Sequence, residues 1–548
     1  MLWGWPTLLV GNRMRFIFIT GGVLSGVGKG ITTASIGNLL ASSGLKVVPI
    51  KCEGYLNVDP GTMNPIEHGE VFVLDDGEEA DMDFGHYERF IGVSCRREWN
   101  ITMGKVFETI RERERRGEYL GKTVQYVPHV TDHIKERWMR IVEEESADVA
   151  VIEIGGTVGD IETALHIEAA RQMRRDLGPK RVMYIHLTYV PKPPSLAEFK
   201  TKPTQQSLIL LLEQGIIPQA IVTRSEEPIP ERPREKIGIF SGLPTESIIE
   251  NYNVENVYEI PLLFSDQGFE KVISENLGLE LRPDLATWRE RVEVMRSTNG
   301  SVRIAICGKY TELEDSYASV REAIVHACAA QGVRPTITCI ETTDIGTVED
   351  AAERVEGFDA IIVPGGFGSR GIEGKIKIIE VCRTKGIPYL GICYGLQLAV
   401  IEAARNLLGH TDANTTEVDE NTPHPVVDIL PEQVDVTDKG GTMRLGAYPA
   451  ILTKGSRIAE LYASTEVSER HRHRFEVNPE YHDELESAGV RLCGLDPSGR
   501  LVEFIERDDH PYFVGAQGHV ELKSTLLTPA PLFMGLVKAA YDRGSSNR

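Results

Sequence analysis

The chain has 548 residues, with 59 Lys plus Arg against 81 Asp plus Glu, for a formal net charge of −22. A field of that sign repels nucleic acid and anionic membrane, so an anionic substrate must be held by cations gathered locally. The length suits roughly three to four average domains or two large α/β domains, and the eight cysteines, scattered without a CxxC pair, point to a reducing cytoplasm rather than a disulfide framework.

Met1 to Val10 has neither the basic start nor the apolar length of a signal peptide, and Met14 is the expected start. The apolar run Leu208 to Leu212 ends at Glu213, far short of the roughly 18 residues that span a bilayer, so no membrane association is expected.

Phe16 to Ile19 reads as a buried strand, Thr20 to Gly30 as a glycine-rich loop and Ile31 to Leu40 as the start of a helix. Backbone N–H groups of such a loop turn inward around phosphate, the helix N-terminus favours the same anion, and Lys29 adds a mobile charge. The strict pattern wants four residues before Gly-Lys and then Ser or Thr. Here five separate Gly22 from Gly28, and Gly30 follows Lys29, so an ordinary α/β turn stays open. A second strand follows over Leu45 to Lys51, then the turn-rich Tyr55 to Met63.

Six acids fall between Asp75 and Asp83, and most of them read as a solvated face. The apolar strand Asp148 to Ile154 delivers Glu153 near its carboxyl end, where parallel sheets bind ligands. Mg²⁺ on a triphosphate needs one or two carboxylates, and Asp83 with Glu153 would supply them; a strand-end acid capping a neighbouring helix is the alternative. Past Gly159-Asp160-Ile161-Glu162 and the strand Val182 to Leu187, the segment Phe199 to Ser207 sets Lys200 and Lys202 around Thr201 just before a helix, an anion-binding patch that Arg224 and Lys236 extend.

Residues 284–296 read as an amphipathic helix and Ser297 to Ser301 as a linker, after which Val302 to Gly308 opens a second α/β series. Ala360 to Val363 runs into a glycine loop. Ile387 to Ile392 runs into Gly391-Ile392-Cys393-Tyr394-Gly395, the pattern of a nucleophile elbow whose thiol meets a helix N-terminus. Gln517-Gly518-His519-Val520-Glu521 offers a base and its orienter, on one side if the segment is extended. Backbone N–H groups of Gly366 and Tyr394 are the candidate oxyanion donors. Glu469 to Glu476 alternates His with Arg, a pattern too cationic for a metal and suited to a substrate carboxylate or a partner surface.

Together these stretches resemble the CTP synthase family over nearly the whole chain from about Met14. The resemblance rests on Thr20 to Gly30, Val58 to Met63, Gly85 to Phe90, Glu153 to Glu162, Lys200 to Gln205, Pro364 to Gly371, Gly391 to Gln397 and Glu469 to Glu476. It implies an α/β fold of two doubly wound parallel-sheet domains: a P-loop synthetase domain over 14–285, a linker over 286–300, and a class I glutamine amidotransferase domain over 301–548. In the implied reaction ATP phosphorylates the 4-oxygen of UTP, and ammonia from glutamine, travelling inside the protein, displaces that phosphate to give CTP.

Carried over by position, Ser25, Gly26, Val27, Gly28, Lys29, Gly30, Ile31 and Asp83 would bind ATP, and Asp83 with Glu153 would bind Mg²⁺. Ser25, Asp160, Ile161, Glu162, Lys200, Thr201, Lys202, Pro203, Thr204, Gln205 and Lys236 would form the UTP site, where CTP acts as feedback inhibitor. Cys393, His519 and Glu521 match the hydrolytic triad, and Gly366, Tyr394, Gly395, Leu396, Gln397, Glu417 and Arg474 the glutamine pocket. Arg370, Gly371 and Glu373 fall in a lid that senses the activator GTP, and a cytoplasmic homotetramer is implied. The chain departs from the family pattern at Gly26, at Glu53-Gly54, at Tyr394, and at Gly518, Val520 and Leu522, which stand where Phe, Pro and Phe are usual.

Two other functions fit parts of the pattern. An ATP-dependent amide synthase of the cobyrinate type joins a similar P-loop to a triad, but does not need the lysines between 200 and 236. A nucleotide-regulated assembly protein without catalysis conflicts with the presence of Lys29, Cys393, His519 and Glu521.

Overall fold

A computed structural model describes residues 14–58, 69–195, 198–296, 300–309, 314–429 and 443–546. Asp59 to Met63 of the turn-rich loop therefore lie outside the described residues. The chain forms two compact units, Met1–Asp59 with His86–Arg289, and Pro60–Gly85 with Glu290–Arg548. The stretch 60–85, expected within the first domain, thus belongs to the second unit, and the helix Ala286–Arg296 forms where residues 284–296 read as amphipathic.

The first unit is built on a seven-stranded sheet in the order Asn100–Thr102, Val47–Glu53, Val149–Ile154, Arg15–Gly21, Val182–Tyr189, Ala220–Ser225 and Ile248–Tyr252. Every pairing is parallel. Phe16, Ile17, Phe18 and Ile19 are all 0% exposed, as a strand covered on both faces requires, and each buried side chain contributes about 1.5–3 kcal/mol. Strands that follow Arg15–Gly21 up to residue 154 lie on one side of it, and those after residue 182 on the other. That reversal opens a crevice at its carboxyl end, immediately before the glycine loop.

The second unit carries a nine-stranded sheet in the order Arg334–Glu341, Ser301–Gly308, Ala360–Val363, Tyr389–Ile392, Phe513–Ala516, Val502–Glu506, Arg491–Leu495, Arg444–Leu452 and Glu466–His473. The first five strands are parallel, as expected of a doubly wound domain, whereas the remaining joins are antiparallel and make the sheet mixed. The connections decide this: loop 496–501 is a hairpin turn, too short for the crossover of a dozen or more residues that parallel strands need. Alternate residues enter opposite cores, Ala305, Cys307, Ile361 and Val363 on one side and Ile304, Ile306, Ala360 and Ile362 on the other.

A small hairpin, Phe72–Val73 with Glu79–Ala80, is clasped onto the last two strands of this sheet. Arg470 donates to Asp75 at 2.7 Å and lies 5.3 Å from the Phe72 ring centre, Arg472 donates to Glu79 at 2.7 Å, and the Ala447 N–H donates to the Asp75 carbonyl at 2.9 Å. Glu78 and Glu79 are buried, so this part of the acidic run is a paired surface rather than the solvated face expected. Among the described residues no helix is long and apolar enough to cross a membrane.

Candidate functional site

In the first unit the glycine loop leaves its strand at Gly21 and feeds the helix Lys29–Ser42. Gly28 at φ 92° and Gly26 at φ 71° hold left-handed conformations that favour glycine. Ser25 and Gly26 are exposed at the loop tip, Val27 is buried beneath it, and Gly30 and Ile31 form the first helical turn. Lys29 Nζ donates to the Gly156 carbonyl at 2.7 Å, a neutral acceptor that a phosphate would replace.

Loops after neighbouring strands converge on this edge. The Val158 N–H donates to the Gly21 carbonyl at 2.8 Å, and a Cβ on Gly22 would stand 1.5 Å from Ser207 Oγ, so only glycine lets the loop reach the helix Lys202–Glu213. Asp160 Oδ2 accepts from the Thr157 N–H at 2.8 Å, and the exposed Ile161 and Glu162 follow it. Thr201, Thr204 and Gln205 turn inward and are buried, with Gln205 Nε2 donating to Thr201 Oγ1 at 3.2 Å. Lys202 is exposed and Pro203 half-buried. Lys200 is paired with Glu198, whose carboxyl is held below its ordinary pKa first by Lys200 and further by Lys236 and Arg232. Lys200 and Lys236 thus share one small cationic field. The unusual Gly54 is also explained, since a Cβ there would stand 2.7 Å from Glu162 Cβ.

Glu153 is 2% exposed and accepts from the Tyr87 hydroxyl at 2.6 Å. A hydrogen-bonded, immobilised carboxylate next to a phosphate loop fits a Mg²⁺ ligand. Asp83 opens the helix Asp83–Ile91 and falls in the 60–85 stretch of the other unit. Among the described residues no group of three or more His, Cys, Asp or Glu is arranged to hold a metal, and Mg²⁺ bound through phosphate does not need one.

In the second unit Cys393 sits between the strand Tyr389–Ile392 and the helix Tyr394–Asn406, at φ 50° and ψ −99°. This backbone is costly for a residue with a Cβ and marks a nucleophile elbow. Both glycines of the motif are required: a Cβ on Gly391 would stand 2.7 Å from the Gly395 carbonyl carbon, and one on Gly395 would stand 2.1 Å from the Val363 carbonyl oxygen.

His519 Nδ1 donates to Glu521 Oε1 at 2.8 Å, which leaves Nε2 for the thiol. Burial opposes charge on His519, but Glu521 and Cys393 outweigh it and hold the imidazole well above its ordinary pKa. The segment is a turn rather than the extended piece expected, closed by the Leu522 N–H on the His519 carbonyl at 3.2 Å, and the turn itself brings the two side chains together. The His519 N–H donates to the Arg470 carbonyl at 2.6 Å, and a Cβ on Gly365 would stand 2.7 Å from His519 Cε1.

Gly366 lies over Tyr394, whose hydroxyl donates to the Gly368 carbonyl at 3.0 Å. Tyr394 is the first helical residue, so its N–H has no intrahelical acceptor and is free to serve an oxyanion. Glu417 accepts from the Gly368 N–H at 2.8 Å; burial raises its pKa, against Gly368 and Lys309. Gln397 Nε2 donates to the Phe475 carbonyl at 2.8 Å, next to the half-buried Arg474. Gly395 supplies backbone at the elbow, while the Leu396 side chain points into the core at 0% exposure. Arg370 donates to the Lys309 carbonyl at 3.3 Å, and Glu373 pairs with Arg405 at 2.9 Å.

Three contributors escaped the sequence reading. Tyr87 orients Glu153, Gln517 donates to Cys393 Sγ at 3.7 Å, and Lys375 lies 1% exposed beneath Gly366 and Tyr394. Only Gln517 carried a signal, its position two residues before His519 on a strand end.

Residues 15–279 match the family model described as CTP synthase N-terminus, and residues 312–539 match glutamine amidotransferase class-I. A CTP synthase of Thermococcus gammatolerans is 51% identical over 96% of this chain and 99% of its own length. One of Methanopyrus kandleri is 50% identical over 97% and 100%, and one of Caldanaerobacter subterraneus 49% over 97% and 99%. With two domain models in the expected order and relatives matched end to end, the chain belongs to the CTP synthase family.

Proposed function

We propose that the chain aminates UTP to CTP, spending ATP and taking ammonia from glutamine. Cys393 attacks the amide carbon of glutamine; a C–S bond forms while the carbonyl π pair moves onto oxygen, where the N–H groups of Gly366 and Tyr394 receive it. His519 passes a proton to the nitrogen, the C–N bond breaks and ammonia leaves. Water, deprotonated by His519, then cleaves the thioester to glutamate and restores Cys393. Glu521 keeps His519 in the tautomer both steps need, supported by their 2.8 Å contact. Gln397, Glu417 and Arg474 hold the glutamine.

In the synthetase domain the 4-oxygen of UTP takes the γ-phosphoryl group of ATP, ADP leaves, and ammonia displaces the new phosphate. The loop Ser25 to Ile31 holds phosphates, with Lys29 exchanging the Gly156 carbonyl for a phosphate oxygen. Asp160 to Glu162, Lys200 to Gln205 and Lys236 form the pyrimidine nucleotide site, in which CTP competes. Bound Mg²⁺ would neutralise phosphate charge, with Asp83 and Glu153 as its protein ligands. GTP activation through the lid around Arg370, a homotetramer and a cytoplasmic location complete the reading.

The single observation that carries it is the cysteine elbow facing a His–Glu pair, in a chain whose other half begins with a phosphate loop. The test is CTP formation from UTP, ATP and Mg²⁺ with either glutamine or ammonia, for wild type and Cys393→Ala. Wild type is expected to use both nitrogen sources and the variant only ammonia. Folded wild-type protein that makes CTP from neither would refute the proposal.

A further inference from the structure

The triad leaves one contact to the nucleophile unassigned. Gln517 is 0% exposed and its Nε2 lies 3.7 Å from Cys393 Sγ. Its backbone is fixed by the Gln517 N–H donating to the Glu503 carbonyl at 2.8 Å. Its amide is fixed as well, because Oε1 accepts from Gln397 Nε2 at 3.2 Å, which turns the Gln517 NH₂ toward the sulfur. Gln397 Nε2 spends its other hydrogen on the Phe475 carbonyl at 2.8 Å, so Oε1 is the acceptor that Gln397 can offer to a glutamine ligand.

We propose that Gln517 is a catalytic residue of the glutaminase: its amide N–H holds the Cys393 sulfur as thiolate, in the rotamer that attacks, and Gln397 ties that hold to occupancy of the glutamine pocket. This rests on the glutaminase reading above. A hydrogen bond to sulfur is strongest while sulfur carries the negative charge, before the C–S bond forms, so Gln517 governs how much of the nucleophile is ready near neutral pH rather than the later steps. The titratable groups around this corner are His519 and Glu521 from the turn, Tyr394 beside the cysteine on its helix with Lys375 beneath that ring, and Glu469, His471 and His473 from the neighbouring strand. None of them supplies a neutral amide donor to the sulfur, as Gln517 does at 3.7 Å.

The test compares wild type, Gln517→Met and Gln517→Glu in the full-length protein. Three quantities are read: the rate of Cys393 alkylation by iodoacetamide against pH, kcat/KM for glutamine against pH, and CTP formation from ammonia. For Gln517→Met, alkylation and kcat/KM at pH 7 should both fall roughly 10- to 100-fold, the worth of one hydrogen bond to a charged group, and recover as pH rises. Gln517→Glu, which keeps the acceptor for Gln397 but turns an oxygen toward sulfur, should shift both profiles further upward. Ammonia-dependent CTP formation should stay at the wild-type level, and an unchanged thermal unfolding profile reports that the unit carrying Gln517 is folded in both variants. Unshifted alkylation and glutamine profiles in both variants would overturn the inference. Wild type unable to hydrolyse glutamine would instead overturn the reading beneath it.

Discussion

Lys375 lies in the helix Ile372–Lys385 at 1% exposure, its Nζ 5.6 Å from the centre of the Tyr394 ring. Burial first, and then Lys309, lower its pKa from 10.5 to about 8, against the opposing pull of Cys307 and Glu341. A drop of that size costs about 3 kcal/mol of native stability while the lysine is charged. Below pH 8 both folded and unfolded chains carry the proton, so the penalty is present in full. Between pH 8 and 10.5 the folded lysine has shed a proton that the unfolded chain still binds, and stability rises with pH until the penalty is gone. Lys375→Met, similar in volume and without charge, should therefore stabilise the protein by up to about 3 kcal/mol at pH 7 and by only about half that at pH 9.5. Urea denaturation of both proteins at the two pH values measures this. The charge also lies beside the oxyanion loop, so the same substitution should lower glutaminase kcat, by about 10-fold, and leave ammonia-dependent CTP formation unchanged. No stability gain at pH 7, or an equal gain at both pH values, would refute the reasoning.

Gly395→Ala puts a Cβ 2.1 Å from the Val363 carbonyl oxygen, which cannot yield without moving the elbow by roughly 1 Å; glutamine-dependent turnover should fall about 100-fold with ammonia use intact, and a wild-type kcat would count against the elbow. Tyr87→Phe removes the 2.6 Å bond to Glu153 and should raise the Mg²⁺ concentration needed for half-maximal ammonia-dependent synthesis about 10-fold, with glutamine hydrolysis untouched; an unchanged Mg²⁺ requirement would remove Glu153 from the metal site. Glu198→Gln frees Lys200 and eases the field around Lys236, so the KM for UTP should fall several-fold without a change in KM for glutamine; a raised KM would mean that Glu198 orders the site rather than competing for it.

The features legible in the sequence were those set by backbone chemistry. Four apolar residues before a glycine loop, or Gly-x-Cys-x-Gly after a strand, specify a buried parallel strand and a close turn, because no residue with a Cβ fits at Gly22, Gly391 or Gly395. Features set by partners far along the chain left no local mark. Asp75 and Glu79 read as solvated acids because the arginines that pair with them, Arg470 and Arg472, come 395 and 393 residues later. The antiparallel half of the second sheet was missed for a similar reason, since its hairpins follow loop length and not the apolar runs that mark parallel strands.

The frame around His519 shows how far a local departure can be compensated at a distance. Phe, Pro and Phe are usual in this family where the chain has Gly518, Val520 and Leu522, and without the proline ring the turn loses one fixed φ beside the histidine. Here a Cβ on Gly518 would stand 2.9 Å from Glu469 Cβ and 3.2 Å from the Arg470 carbonyl oxygen, so the neighbouring strand already occupies the space of a larger side chain. That strand holds the triad from outside. The Arg470 carbonyl takes the His519 N–H at 2.6 Å, while the Arg470 side chain is anchored on Asp75 and Phe72 of the clasped hairpin. Val520 and Leu522 are buried at 1% and 4% exposure and pin the other side of the turn. Preorganisation lost from three residues beside the histidine is supplied by a strand and a hairpin distant in sequence, and the 2.8 Å contact between His519 and Glu521 is the outcome.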